Sequence, residues 1–285
     1  MRVNIAGAPI SWGVCEVPGW GYQLPAERVL AEMREAGITA AEFGPDGYLP
    51  EDAKARTALL STYGLGPVGG FVPVVLHDPD HDPLPALRRT AESFAEGGAE
   101  VVVLAADTGG SGYDSRPDLD ERGWRSLLSN LDAAVGVVAE TGLTATLHPH
   151  VGTMVERAPE VERVLADSRI PLCLDTGHLL IGGTDPAALA AKAPERIEHV
   201  HLKDVDAALA ARVRAGELTY TDAVRAGIYR PLGEGDVDVP AIVRGLVASG
   251  YQGWFVLEQD KVLDGPDADP LADVLSSVEY LRGIR

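Results

Sequence analysis

The sequence predicts an α/β fold, a closed parallel (β/α)8 barrel, on three observations. Short apolar runs alternate with helix-period segments eight times along 285 residues, a length at which such barrels form one unit. The runs are continuously apolar, as strands covered on both faces are. No composition break, linker or low-complexity tract interrupts the chain, so residues 1–285 read as one domain. An open doubly wound sheet would need a glycine-rich phosphate turn after the first strand. Ala8-Pro-Ile-Ser-Trp-Gly13 lacks one, and Gly109-Gly-Ser-Gly112, after the fourth strand, has neither a Walker lysine nor a dinucleotide fingerprint.

The elements follow in order. Val3 to Ala8 is the first strand, leading into a loop with Ser11 and Trp12, and Pro25 to Ala36 is a helix with proline in its first turn and Gly37 past its end. Thr39 to Phe43 is a strand, Glu51 to Tyr63 a helix stopped by Gly64, and Gly66 to Val72 a strand. Leu84 to Glu96 is a helix closed by two glycines; Glu100 to Ala105 is a strand of Val and Leu that opens into Asp107. Leu127, Leu128, Leu131, Val135 and Val138 give Glu121 to Thr141 one apolar helical face. Thr144 to Leu147 leads into His148-Pro-His150, Pro159 to Ala166 is helical, and Pro171 to Leu174 is the strand that ends at Asp175. Asp185 and Pro186 start a helix to Ala193, and Ile197 to Leu202 is the seventh strand. Residues 206–230 read as a helical insertion, with Ala207, Leu209, Val213, Leu218 and Val224 on one face, and are expected to lie over the mouth as a wall or lid. Val239 to Ser249 is a helix, Trp254 to Glu258 the eighth strand, and Pro270 to Leu281 the closing helix.

With 43 acidic against 24 basic residues the net charge is −19, which opposes binding to nucleic acid or anionic membrane. Cys15 and Cys173 are the only cysteines, too few for a disulfide framework, and each reads as a small buried hydrophobe. No apolar run approaches the roughly 18 to 20 residues of a membrane span, and the N-terminus reads as a strand rather than a leader, so a soluble cytoplasmic protein is expected.

Chemistry concentrates between Leu172 and Asp204, where Leu-Cys-Leu-Asp-Thr-Gly-His178 and His199-Val-His-Leu-Lys-Asp204 each break from an apolar run into Asp, His or Lys. In a parallel barrel the C-terminal strand ends share one mouth. Glu42, Asp107, His148, His150, Asp175, His178, His201, Lys203 and Glu258 would meet there. One polar strand end is usually a solvated cap; a consecutive series of metal-ligand type points to one divalent metal with open positions. Mixed carboxylate and imidazole ligation suits Mn²⁺, Co²⁺, Fe²⁺ or Zn²⁺; Mn²⁺ or Co²⁺ is the expected ion, with Mg²⁺ also admitted.

Over essentially its whole length the chain resembles the xylose-isomerase-like TIM barrels that include sugar-phosphate isomerases and epimerases, and within them the inosose dehydratases of inositol catabolism. The likeness is carried by Ala8-Pro-Ile-Ser-Trp12, His148-Pro-His-Val-Gly-Thr153, Asp175-Thr-Gly-His178, His199-Val-His-Leu-Lys-Asp204, Thr221-Asp-Ala-Val-Arg-Ala-Gly227, Pro231-Leu-Gly-Glu-Gly-Asp236 and Gly253-Trp-Phe-Val-Leu-Glu-Gln-Asp260. The resemblance implies that Asp175, His201 and Glu258 are metal ligands. Where the family's fourth ligand is a glutamate after the fifth strand, this chain has His148, with His150 or Glu156 as alternatives. Gly13-Val-Cys-Glu16 replaces a Trp followed by an Asn-Asp pair.

A metal so held would acidify the proton α to the carbonyl of a keto-polyol such as 2-keto-myo-inositol. Proton transfer is expected from Glu258, His178, Lys203 or Glu156, and substrate contact from Trp12, Glu42, His150 and Asp107, with Trp20 and Phe71 as further wall residues. The expected reaction is loss of water. The alternatives are isomerisation of a ketose, epimerisation, which needs a base on each face of one carbon, and a non-catalytic sugar-binding barrel. A DNA-repair nuclease is disfavoured by the acidic charge. Homo-oligomers are expected by analogy alone.

Overall fold

The computed structural model describes residues 3–284. Eight strands close into a barrel: β1 (Asn4–Gly7), β2 (Ala40–Glu42), β3 (Gly66–Val74), β4 (Val101–Ala106), β5 (Thr144–Leu147), β6 (Leu172–Asp175), β7 (Ile197–Leu202) and, after the short strands β8 (Asp204–Val205) and β9 (Tyr229–Arg230), β10 (Trp254–Leu257). Their order round the barrel is β1-β10-β7-β6-β5-β4-β3-β2, parallel throughout, as the alternation predicted. Among the described residues no helix is long and apolar enough to cross a membrane.

Strand alternation divides the core in two. Strand side chains that face outward, Val102, Leu104, Leu174 and Phe255 among them, pack with helix residues such as Leu30, Leu87, Leu131 and Val243 into the large outer core, while Ala6, Ala40, Val68, Val101, Val103, Cys173 and Val256 fill the barrel with small groups. Cys15 and Cys173 are both buried free thiols. Because residues two apart share a face, the positions above Cys173 and Val256 are Asp175 and Glu258. Register sets Asp175 opposite His201, and His201 opposite Val256.

One irregularity aims a site residue. The β2–β3 register shifts between Ala41 and Glu42, pairing Glu42 with Gly69. Gly69 has φ 154°, and a Cβ there would run into Val101 O, so only glycine lets β3 approach β4 at this point.

Four details differ from the sequence expectation. The loop after β1 contains a 3₁₀ turn, Pro9–Trp12. An additional helix, Thr176–Gly182, follows β6 at once. Within residues 206–230, expected as a helical insertion, there are two separate helices, Ala207–Arg214 and Tyr220–Arg225, capped by Asp206 and Thr219. Antiparallel pairing of β8 with β9 closes this excursion.

Candidate active site

Asp175 is fixed by the helix it starts. Its Oδ1 accepts from the N–H groups of Gly177 at 2.9 Å and His178 at 2.8 Å, satisfying two of the helix's free donors. Oδ2 is left 3.1 Å from His148 Nε2, 3.6 Å from His201 Nδ1 and 3.4 Å from Lys203 Nζ.

His201 is oriented from the other side. Its Nε2 donates to Glu42 Oε1 at 2.9 Å, and His199 Nε2 donates to the same oxygen at 2.7 Å. With that proton on Nε2, Nδ1 of neutral His201 carries a lone pair, yet it faces Asp175 Oδ2 and Glu258 Oε2, the latter at 3.1 Å, with no hydrogen-bond partner. A lone pair among carboxylate oxygens requires a cation, either a second proton or a metal. Without metal it is the proton: burial opposes the charge, but Cys173, Glu258 and Glu42 outweigh burial and hold the His201 pKa well above the usual range. Burial also raises Glu42, but His201 and His199 bring it well below the usual carboxylate range, so it stays an anion.

One ligand atom each from His148, Asp175 and His201 lies within 4.8 Å of the others, and His201 also groups with Glu42 and Glu258. His148 is kept neutral by burial, and its Nδ1 is buried without a partner. Neutral His148 and, once its Nδ1 proton is displaced, His201 stand beside carboxylates in a donor set that fits a divalent metal.

Lys203, at the end of β7, lies 3.0 Å from Glu258 Oε2, 2.7 Å from Asp260 Oδ1 and 2.9 Å from His178 Nε2. Burial works against its charge, but Asp175, Asp260 and Glu258 prevail and keep it an ammonium. His178 is neutral, lowered by burial and then by His150 and Lys203. The neighbouring Asp204 does not pair with Lys203: its carboxylate accepts from the N–H groups of Val205, Gly233, Gly235 and Val237 at 2.7–3.1 Å, tying the Pro231–Asp236 segment to the end of β7.

A cavity of about 1080 Å³ opens over the cluster, with His148, His150, His201, Lys203 and Glu258 in its wall. Glu42, Trp20 and Phe71 also line it, as do Glu16, Tyr113, Tyr220 and Asp260, which the sequence reading does not single out for the site. Tyr113 donates to Glu16 across the mouth. His150 stacks between Tyr113 and His178, ring centroids 4.3 and 3.7 Å away, and donates Nδ1–H to Val151 O, leaving Nε2 as an acceptor.

Four of the expected side chains do not line the cavity. Trp12 is fully buried and donates Nε1–H to Glu32 on the first helix; Trp20 supplies the aromatic wall instead. Glu156 accepts from Gly152 N–H and pairs with Arg116, which holds it in the loop framework. Asp107 caps a turn by accepting from Gly109 N–H. His178 is buried, with its ring stacked on His150 and its Nε2 taken up by Lys203.

The closed barrel and its carboxylate–imidazole cluster at the C-terminal mouth define a class of metal-assisted α/β-barrel enzymes. Residues 30–284 match the sequence profile of the xylose isomerase-like TIM barrel family, and the chain belongs to that family. It is 35% identical to the rhizopine catabolism protein MocC of Rhizobium meliloti, over 95% of this chain and 85% of that one. With the inosose dehydratase of Geobacillus thermodenitrificans it shares 30% identity over 99% of this chain and 97% of the relative. Solved structures of similar fold include L-ribulose 3-epimerase, with TM-score 0.71, 17% identity and coverage of 99% of this chain and 94% of that one. Another is the IOLI protein with a bound zinc atom, with TM-score 0.70, 12% identity and coverage of 99% and 98%.

Proposed function

We propose that this protein is a metal-dependent lyase that dehydrates a cyclic keto-polyol of the inosose type, such as 2-keto-myo-inositol. The observation that carries this reading is the pairing of Glu258 with Lys203, one carboxylate and one ammonium 3.0 Å apart on the cavity wall. Elimination needs a base at one carbon and an acid at its neighbour, whereas epimerisation needs a base on each face of a single carbon. At the fifth-strand position, where a second carboxylate would serve as that other base, stands His148. The relatives named inosose dehydratase support the same choice.

A divalent metal, Mn²⁺ or Co²⁺ by preference, held by His148, Asp175, His201 and Glu258 would polarise the carbonyl and make the α proton more acidic. Glu258 takes that proton. Lys203 gives one to the β-hydroxyl, which departs as water while the C–O bonding pair leaves with it and the carbon–carbon double bond forms. Their contact lets the proton on Glu258 return to Lys203 once the product has left. His178 accepts from Lys203 through Nε2 and steadies it between turnovers. His150 offers its free Nε2 to a substrate hydroxyl, Glu42 keeps His201 in place, and the 206–230 insertion, through Tyr220, walls off the cavity from water.

The test is to incubate the metal-loaded protein with 2-keto-myo-inositol in deuterated water and record product mass and label. A product lighter by one water supports the lyase. Recovered substrate carrying deuterium at the α carbon in the inverted configuration, with no dehydrated product, would replace it with an epimerase.

A further inference from the structure

Five buried side chains from separate parts of the chain close a ring that includes three residues of the cavity wall, Lys203, Tyr220 and Asp260. Lys203 Nζ meets Asp260 Oδ1 as an ion pair at 2.7 Å, and Tyr220 Oη donates to Asp260 Oδ2 at 2.7 Å. Tyr229 Oη lies 3.0 Å from Tyr220 Oη and 3.4 Å from His178 Nδ1, and His178 Nε2 lies 2.9 Å from Lys203 Nζ. None of the five is more than 6% exposed.

The donors and acceptors fit in one direction only. An ammonium has protons and no lone pair, so His178 Nε2 must accept from Lys203, which puts the His178 proton on Nδ1. That proton goes to Tyr229, the Tyr229 hydroxyl to Tyr220 and the Tyr220 hydroxyl to Asp260. Val151 N–H, 3.4 Å from His178 Nδ1, then finds no lone pair there. Lys203 is the source of the ring and Asp260 its sink. Among the carboxylates around Lys203, Asp175 and Glu258 are proposed metal ligands; Asp260 is outside that set and remains to the lysine.

The insertion supplies two members, Tyr229 on β9 and Tyr220 at the first turn of its second helix, and only Tyr220 donates to Asp260. We propose that Tyr220 is a positioning residue for the lyase reaction: by fixing Asp260 it sets Lys203 toward the leaving hydroxyl, so the acid is assembled only when the insertion is seated over the mouth. This rests on the dehydratase reading. If Tyr220 served merely as packing against Trp20, Tyr113 and His150, a phenyl ring would replace it without loss.

Tyr220→Phe keeps the ring and removes the hydroxyl. We expect kcat to fall about 10- to 100-fold, with KM changed less than about twofold and metal content per chain unchanged. Asp260→Asn should lower kcat as well, and the double variant should fall no further than the worse single one, because both act on the same lysine. A Tyr220→Phe enzyme with wild-type kcat, or losses that multiply in the double variant, overturns the proposal; Tyr220→Phe alone decides if Asp260→Asn does not fold. If the wild type fails to turn over 2-keto-myo-inositol, the dehydratase reading fails separately, and amine labelling decides the ring. Reductive methylation of the metal-loaded protein should spare Lys203 in the wild type and reach it in Tyr220→Phe, with Lys54, Lys192 and Lys261 as internal references. Equal labelling of Lys203 in both proteins overturns the coupling.

Discussion

Glu42 Oε1 lies 2.9 Å from Nε2 of His201, and that single contact turns the other nitrogen of the ring toward Asp175 and Glu258. Glu42→Gln keeps an acceptor of the same size without the charge. Metal affinity is expected to fall about 10- to 100-fold with the fold retained, as measured by competition with a chelating dye. Wild-type affinity in this variant would show that the contact orients nothing.

Metal and proton compete for His201. In the metal-free protein its folded pKa is raised well above the ordinary 6.5 by Cys173, Glu258 and Glu42 acting against burial, so binding must expel a proton. Affinity should therefore rise with pH, by about tenfold per unit while one proton is displaced, and calorimetry in buffers of different ionisation enthalpy should register its release. A pH-independent affinity between pH 6 and pH 8, roughly the region where histidine displacement is felt, would contradict it.

Asp175 has two oxygens with separate tasks, and two substitutions part them. Asn retains an acceptor for the Gly177 and His178 N–H groups; Ala does not. Both variants should lose the metal, and Ala should be less stable than Asn by about 1 kcal/mol, the usual size of a helix cap, in urea titrations of the metal-free proteins. Equal stabilities would deny the cap.

Asp204 receives four backbone N–H groups while fully buried. Asp204→Ala strands them, so unfolding should become easier by at least about 3 kcal/mol. A loss under about 1 kcal/mol would mean that water takes over those bonds.

Much of this was readable in the chain, for reasons that also mark where reading failed. An acid or histidine directly after an apolar run has little choice of direction, because strand alternation and a common mouth place it; Asp175, His201 and Glu258 converge for that reason. Beyond the strand end that constraint lapses. Glu156 sits close to His150 in sequence, yet Arg116, from a loop about forty residues away, holds it elsewhere. Trp12 found a partner in Glu32, which no local pattern announces. Tyr220 and Tyr229 look like ordinary packing residues of a helical excursion, and their role emerges only from hydroxyls that meet in space. Two signals were present and unread. Asp260 stands two residues past Glu258, on the same side of an extended chain, and Asp175 with Gly183 brackets the Thr176–Gly182 helix as cap and stop.

Gly69 touches no ligand and carries no chemistry, yet it permits the register shift that pairs with Glu42. A methyl group there would press on the β4 backbone and move the strand beside Glu42, loosening the histidine that Glu42 orients. In a saturation survey scored on growth, this position would stand out as intolerant although every chemical group at the mouth was intact. Anyone designing a new substrate preference into this barrel should therefore treat the hydrogen on Gly69 as fixed, and look for freedom in Glu16, Tyr113 and the other rim side chains.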